Sequence, residues 1–259
     1  MERIIFDAHC HYDDDKFNDD RDHVIESLPE NGVYAAVTNG TDIETSRYNL
    51  ELAEKYPHIY AAVGIHPESV EHIDINKLEE YMSQLAEMLT NKNAVALGET
   101  GLDYYWDIPK KEQHVVFDRQ LQLAADIGKP IIIHDREAHG DTLEYLKKYE
   151  PFGLLHCYSG SKEMLTEVFR YGKMWISLGG TTTFKNARVP VEVAREVPLD
   201  RLLLETDAPY LAPVPFRGKR CDSTMTRYTA ERIGELRGMS AEDILKYTKE
   251  NACRFYGVE

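Results

Sequence analysis

Two histidines lie two residues apart, directly after an apolar segment near the start of the sequence. The apolar segment is Ile4-Ile-Phe6, and Asp7 and Ala8 lie between it and His9. In an extended segment alternate side chains share a face, so Asp7, His9 and His11 can point the same way. Paired imidazoles in such a position are suited to binding one divalent metal ion. The alternative is a histidine pair in a surface loop.

The same arrangement, a histidine or an acid after an apolar segment, recurs at His66, Glu99, His134, His156 and Asp207. His134 and His156 follow wholly apolar segments, where an unpaired imidazole is costly to bury. Each alone would be typical of a hydrogen-bonded core histidine, but together they indicate ligands of a second ion. Glu99 comes between the two histidine pairs, so its carboxylate could bridge two ions with one oxygen to each. The alternative role for Glu99 is a helix N-cap acceptor.

Asp207 follows the last of these apolar segments. In a closed barrel the last strand lies beside the first, so Asp207 would join His9 and His11 around one ion. It could also accept a proton from water on that ion. The alternative is a structural role in a turn with Pro209. Glu205 is expected to point to the opposite side by alternation and is not assigned to the site.

Eight short, mostly apolar segments are predicted strands: Arg3–Asp7, Val33–Asn39, Ile59–Ile65, Ala94–Glu99, Pro130–His134, Gly153–Cys157, Met174–Leu178 and Leu202–Thr206. Segments with helical spacing of apolar residues lie between them. This alternation predicts a parallel sheet, and eight units favour an α/β fold of the (β/α)8 TIM-barrel type, a single domain over residues 1–259. The strand ends of such a barrel meet at one mouth. An open doubly wound sheet is the structural alternative.

The composition is that of an ordinary globular enzyme. Hydrophobic residues make up 42% of the 259 residues and charged residues 29%. The formal net charge of −15 argues against a surface that binds duplex DNA tightly and without specificity. It does not exclude an enzyme that processes nucleic acid, because two bound divalent ions would add about four positive charges where a phosphate would lie.

The sequence gives no sign of export or membrane insertion. No apolar segment approaches the roughly 20 residues that cross a bilayer, and Met1–Asp7 does not have the pattern of a signal peptide. Cys10, Cys157, Cys221 and Cys253 form no C-x-x-C pair, so we expect reduced thiols. We expect a cytoplasmic protein with no membrane association and no obligate protein partner.

Six ordered motifs resemble the signatures of TatD-type metal-dependent deoxyribonucleases of the amidohydrolase superfamily. They are Asp7-Ala-His-Cys-His11, Gly64-Ile-His-Pro67, Gly98-Glu-Thr-Gly-Leu-Asp-Tyr-Tyr105, Ile133-His-Asp-Arg136, His156-Cys-Tyr-Ser-Gly-Ser161 and Leu204-Glu-Thr-Asp-Ala-Pro-Tyr-Leu-Ala-Pro213. The resemblance runs from residue 6 to the Asn251–Phe255 segment. It implies a (β/α)8 barrel whose substrate is DNA, bound transiently and cut either from single-stranded ends or at damaged sites.

The resemblance also implies a site with two divalent ions, which could be Mg, Mn or Zn. One ion would be held by His9, His11, Glu99 and Asp207, and the other by Glu99, His134 and His156. A metal-activated hydroxide would attack phosphorus, with Asp207, His66 and Glu99 as the catalytic residues. His66 would face the substrate phosphate or the metal-bound water, although His66-Pro67 could equally be a structural turn. Arg136 and Arg217 are weaker candidates for contacts with substrate.

One loop departs from the family pattern, and two other functions are open. After Arg217-Gly-Lys-Arg220 the family commonly continues Asn-Glu-Pro, whereas this chain has Cys221-Asp-Ser223, which puts the local backbone and substrate binding there in doubt. A metal-dependent amidase, lactonase or deacylase could use the same barrel, but many such relatives bridge their ions with a modified lysine, and Val95–Leu102 contains none. A non-catalytic interaction protein is disfavoured, because every proposed ligand position holds a competent residue.

Overall fold

The structure, a computed structural model, describes residues 2–259, and these form a barrel of eight parallel strands. The strands are β1 Ile5–Cys10, β2 Val33–Asn39, β3 Ile59–Val63, β4 Ala94–Asp103, β5 Ile131–Arg136, β6 Phe152–Leu155, β7 Lys173–Leu178 and β8 Leu202–Leu204. They are hydrogen-bonded in chain order. Just past the end of β8, Asp207 N–H donates to the His9 carbonyl (3.0 Å) and His11 N–H donates to the Ala208 carbonyl (2.6 Å). These bonds close the ring, so the predicted (β/α)8 TIM barrel is confirmed over the open sheet.

Helices alternate with the strands and cover the outside of the barrel. They are α1 Arg21–Ser27, α2 Ile43–Lys55, α3 Leu78–Met88, α4 Lys110–Ile127, α5 His139–Tyr149, α6 Met164–Arg170, α7 Arg188–Glu196, α8 Thr226–Arg237 and α9 Ala241–Tyr256. None of the helices within residues 2–259 is long and apolar enough to span a membrane. The four cysteines are free thiols.

The barrel interior is filled by side chains from every strand. Phe6, Val37, Ile132 and Leu203 belong to this interior cluster, whereas neighbouring residues along each strand pack outward against the helices. Apolar residues on both faces explain why the strands read as nearly continuous apolar segments. The end opposite the mouth is closed by α9, where the Tyr256 hydroxyl donates to the Ala8 carbonyl (2.6 Å).

Six strands (β1, β3, β4, β5, β6 and β8) end at a residue other than the predicted one, and three of these cases bear on the site. β1 continues past Asp7 because Cys10 pairs with Thr38 of β2. β4 continues past Glu99 to Asp103 because its backbone remains paired with β5. β8 stops at Leu204, two residues earlier than predicted. The predicted strand ends were placed where apolar residues give way to polar ones. This rule fails at β1 and β4, because their last polar residues are buried and remain in the strand.

Asp7 does not point into the mouth with His9 and His11, so that expectation is wrong. Pairing between β1 and β2 is irregular from Asp7 to Cys10, and such an irregularity reverses the simple alternation of side chains. The buried Asp7 carboxylate instead accepts hydrogen bonds from Thr206 Oγ1 (2.6 Å) and Ser223 Oγ (2.6 Å). Asp7 thus ties the loop after β8 to β1 outside the mouth.

Candidate metal centre

The carboxyl ends of the strands surround a cavity of about 730 Å³. Its floor carries six of the predicted site residues: His11, His66, Glu99, His134, His156 and Asp207. His9 lies directly beneath this floor and is fully buried. The structure therefore brings all six proposed metal ligands and His66 to one place. Each comes from a different strand or the segment just after it, except that His9 lies in β1 and His11 directly follows β1.

One cluster of ligand atoms combines two histidines with two carboxylates. His9 Nε2 lies 3.1 Å from His11 Nε2, 3.2 Å from Glu99 Oε2 and 3.7 Å from Asp207 Oδ1. His11 Nε2 lies 3.4 Å from each of the same two oxygens. Four atoms that surround one ion tetrahedrally at about 2.1 Å are about 3.4 Å apart. The cluster therefore has the size that a single divalent ion requires.

The second cluster uses the other oxygen of Glu99. Glu99 Oε1 lies 2.8 Å from His134 Nδ1 and 2.7 Å from His156 Nε2, and these two nitrogens are 3.1 Å apart. Each Glu99 oxygen thus faces a different pair of histidines. A carboxylate in this position could contact one ion through each oxygen.

Hydrogen bonds behind the histidines set which ring nitrogen faces the cluster. His11 Nδ1 lies 3.0 Å from the Asn39 carbonyl, and His134 Nε2 lies 3.0 Å from Asp103 Oδ2. Both partners are acceptors, so these nitrogens carry protons and donate. The opposite nitrogens therefore face the carboxylates, and on loss of their protons they would offer lone pairs to an ion, as metal-bound histidines do.

The pKa values show that the clusters attract positive charge. Burial favours neutral His134, but the Asp103 and Glu99 carboxylates outweigh it and raise its pKa to about 9. Burial is likewise outweighed at His11, where Asp207 and Glu99 raise the pKa to about 10. Glu99 is buried, yet the surrounding histidines hold its pKa well below the ordinary value. Divalent ions can displace such protons, so the residues present fit metal ions.

Asp207 and His66 complete the floor in different ways. Asp207 has a left-handed backbone (φ 58°), fixed by its N–H bond to the His9 carbonyl. His66 Nδ1 accepts from the Glu68 backbone N–H (3.1 Å), so neutral His66 carries its proton on Nε2, 3.3 Å from Glu99 Oε1. Burial lowers the pKa of His66 and keeps it neutral. In this tautomer its Nε2–H is a donor aimed into the site.

The two arginines predicted to contact substrate lie in different surroundings. Arg136 lines the cavity. Arg217 is not among the described residues that line it, and its guanidinium packs over the Phe184 ring (4.3 Å). In the departing loop, Ser223 Oγ contacts the Tyr12 hydroxyl (2.7 Å) as well as Asp7. This loop is therefore anchored to β1 and the segment after it, and Cys221–Ser223 are not among the described residues that line the cavity.

Sequence reasoning missed two acids behind the histidines. Asp103 supports His134, and Glu205 Oε1 lies 3.7 Å from His156 Nδ1 while its other oxygen accepts from Ser177 Oγ. The signal for Glu205 was its two-residue spacing from Asp207, which puts both on one face of an extended segment. Asp103 gave a weaker signal, because the strand that carries it was predicted to end at Glu99.

We expect Asp103→Ala to weaken binding of the ion next to His134 by about 10- to 100-fold, because the imidazole loses the acceptor that orients it. Metal titration by calorimetry measures the affinity. Asp103→Asn keeps an acceptor and should fall between the variant and the native chain. Asp118→Ala, which removes an outer-surface carboxylate paired with Lys148, is the matched control. Equal affinities for Asp103→Ala and Asp118→Ala would show that Asp103 does not position His134.

Two ligand clusters at the mouth of a (β/α)8 barrel are characteristic of metal-dependent hydrolases built on this fold. The family model described as TatD related DNase matches residues 6–257. The chain belongs to this TatD family, and the resemblance drawn from its six motifs is confirmed.

Similar proteins match over nearly their whole length. The chain is 41% identical to "Uncharacterized metal-dependent hydrolase YabD" of Bacillus subtilis, covering 98% of this chain and 100% of the relative. It is 33% identical to "Uncharacterized metal-dependent hydrolase YcfH" of Escherichia coli K12, covering 99% and 97%. The crystal structure of the TatD homolog YjjV from Escherichia coli K12 superposes with a TM-score of 0.92 at 30% identity, covering all of both chains. The protein is a TatD-family metal-dependent hydrolase.

Proposed function

We propose that this hydrolase cleaves phosphodiester bonds of DNA, at single-stranded ends or damaged sites, with two divalent ions bound at the floor of its cavity. The observation that carries the proposal is the division of the Glu99 oxygens between two histidine pairs. His9, His11 and Asp207 would hold one ion, and His134 and His156 the other. When bound, such ions lower the pKa of water and offset the charge that develops on a phosphoryl group.

The protein's own donors favour an anionic substrate. His66 presents Nε2–H to the site, and Arg136 supplies the guanidinium in the cavity lining. A phosphodiester keeps a negative charge that both donors can contact, whereas an ester or amide carbonyl is neutral. Burial would raise the pKa of Asp207, but His11 holds it below the ordinary value. Asp207 is therefore a carboxylate near neutral pH and is placed to accept a proton.

The charge around the cavity limits how much of a polyanion can bind. Asp13, Asp14, Glu68 and Asp135 line it together with Arg136. Phosphates distant from the floor would meet acids rather than arginines or lysines. This supports recognition of one or two phosphates at a strand end or a damaged site, and not of an extended duplex.

The test is a hydrolysis screen coupled to metal analysis. We expect two ions per chain after loading with Mg²⁺, Mn²⁺ or Zn²⁺, and faster cleavage of single-stranded or abasic DNA than of RNA, phosphotriesters, lactones or acyl amides. Imidazole ligands suit Zn and Mn, and the carboxylates also accept Mg. Chelation should abolish the activity.

His134→Ala, purified in parallel, controls for contaminating nucleases. It should remain folded by circular dichroism and lose most hydrolysis, because one half of the site loses a ligand. A faster reaction with an acyl or lactone substrate than with every phosphodiester would overturn the proposal in favour of an acyl hydrolase on the same barrel.

A further inference from the structure

Two large aromatic side chains stand exposed at the rim of the cavity. Tyr105 and Trp106, just after β4, are 51% and 48% exposed, and Trp106 lines the cavity itself. Their rings are nearly perpendicular, with centroids 4.8 Å apart. We call this pair the aromatic rim. Exposed aromatic surface beside a site is typical of ligand contact, because it is otherwise unfavourable in water.

The aromatic rim is held in place from beneath and from the side. Tyr105 N–H donates to Asp103 Oδ1 (2.9 Å), and Asp103 also supports His134. The Arg136 guanidinium lies 3.7 Å from the Tyr105 ring centroid and 5.7 Å from that of Trp106. These contacts restrain the rings relative to the cavity floor. Little conformational entropy would therefore be lost when a ligand binds the rings.

The occupant must combine a flat ring with a negative charge. Flat rings stack on exposed aromatic faces, and Arg136 joins the aromatic rim to the cavity where an anion would sit. A nucleotide has both parts, a base and a phosphate. In a duplex each base is already stacked and paired, so only an unpaired nucleotide can offer its face without further cost.

We infer that the aromatic rim, chiefly Trp106, stacks on the unpaired base next to the phosphodiester being cleaved, and so selects single-stranded or frayed ends. This inference rests on the proposed function and deepens it. Trp106 then determines specificity through binding of the base, while the residues of the cavity floor act on the phosphate.

The test combines Trp106→Ala with substrates that lack one base. Abasic residues are placed in turn at the three terminal positions at each end of a ten-nucleotide single strand. At the critical position, native enzyme should lose kcat/KM by roughly 5- to 150-fold, the range expected for one stacked base. Trp106→Ala should show a similar loss on the intact strand and no further loss on the abasic one. Trp106→Phe should restore much of the activity.

Tyr247→Ala is the matched control, because Tyr247 is an aromatic residue 50% exposed on α9, outside the cavity lining. It should respond to abasic substrates as the native enzyme does. Equal sensitivity of Trp106→Ala and native enzyme at every position would overturn the inference.

Tryptophan fluorescence separates this inference from the proposed function. The chain has two tryptophans, and Trp175 is buried, so Trp106 dominates any change caused by a ligand. Metal-loaded protein should show quenching by a single-stranded oligonucleotide and little by the same sequence as a blunt duplex. Quenching without phosphodiester hydrolysis would reject the proposed function and keep the aromatic rim as a base-binding site. Hydrolysis with neither quenching nor dependence on Trp106 would keep the proposed function and reject the aromatic rim as a base-binding site.

Discussion

Glu99→Gln is expected to lower hydrolysis by at least about 10³-fold, the largest loss of activity among the variants considered. Glutamine has nearly the same shape, but it has no charge and only one oxygen, so it cannot serve both histidine pairs. Metal analysis should show at most one ion per chain at metal concentrations that load the native protein with two. Steady-state kinetics on a single-stranded oligonucleotide measures the loss of activity.

The matched control for this variant is Glu79→Gln, which makes the same chemical change on the outer surface, where Glu79 pairs with Arg119. It should leave metal content and rate unchanged. Circular dichroism should show that Glu99→Gln keeps the barrel. A folded Glu99→Gln protein with two ions and more than a tenth of the native rate would reject the bridging role of Glu99.

The largest expected effect on stability belongs to Gly101→Ala, which should cost more than about 4 kcal/mol of unfolding free energy or prevent soluble expression. Gly101 has a φ of 145°, and a Cβ there would lie 2.0 Å from the His134 carbonyl oxygen. That oxygen belongs to the adjacent strand, since Gly101 pairs with His134. Relief would require separating β4 from β5. Urea unfolding followed by circular dichroism measures the effect.

Gly140→Ala provides the comparison, because Gly140 lies in α5 and an added Cβ there has no neighbour within 4 Å. It should be neutral or add up to about 1 kcal/mol, since alanine restricts the unfolded chain and favours helix. If the unfolding free energy of Gly101→Ala is also within about 1 kcal/mol of the native value, the close approach of β4 and β5 at this point is wrong.

Much of the architecture could be predicted from local patterns. β2 has the predicted ends, Val33–Asn39, and its apolar residues are followed by Thr38 and Asn39 only at the last two positions. The parallel sheet follows from the alternating strand and helix units, since parallel strands need a crossover, and the count of eight units favours closure into a barrel. The clustering of the histidines followed from that topology.

The parts that could not be predicted depend on contacts between distant residues. Alternation fails at Asp7, because irregular pairing with β2 changes which face each side chain occupies. Arg217 packs on Phe184, a contact between two loops whose conformations no local pattern fixes. The support of His134 by Asp103 joins residues on adjacent strands across 31 positions. Predicting this contact from the sequence would require the register of β4 against β5.

The hydrogen bond from Tyr256 of α9 to Ala8 of β1 joins the two ends of the chain, and this affects the timing of folding. Tyr256 and Ala8 are 248 positions apart in the chain. At 5–20 residues per second, β1 leaves the ribosome roughly 10–50 s before the helix that covers its end of the barrel. During that interval the lower interior, including Phe6, lacks the Phe255 and Tyr256 side chains that pack against it. The lower interior can therefore be completed only after α9, the last helix of the chain, has been synthesised.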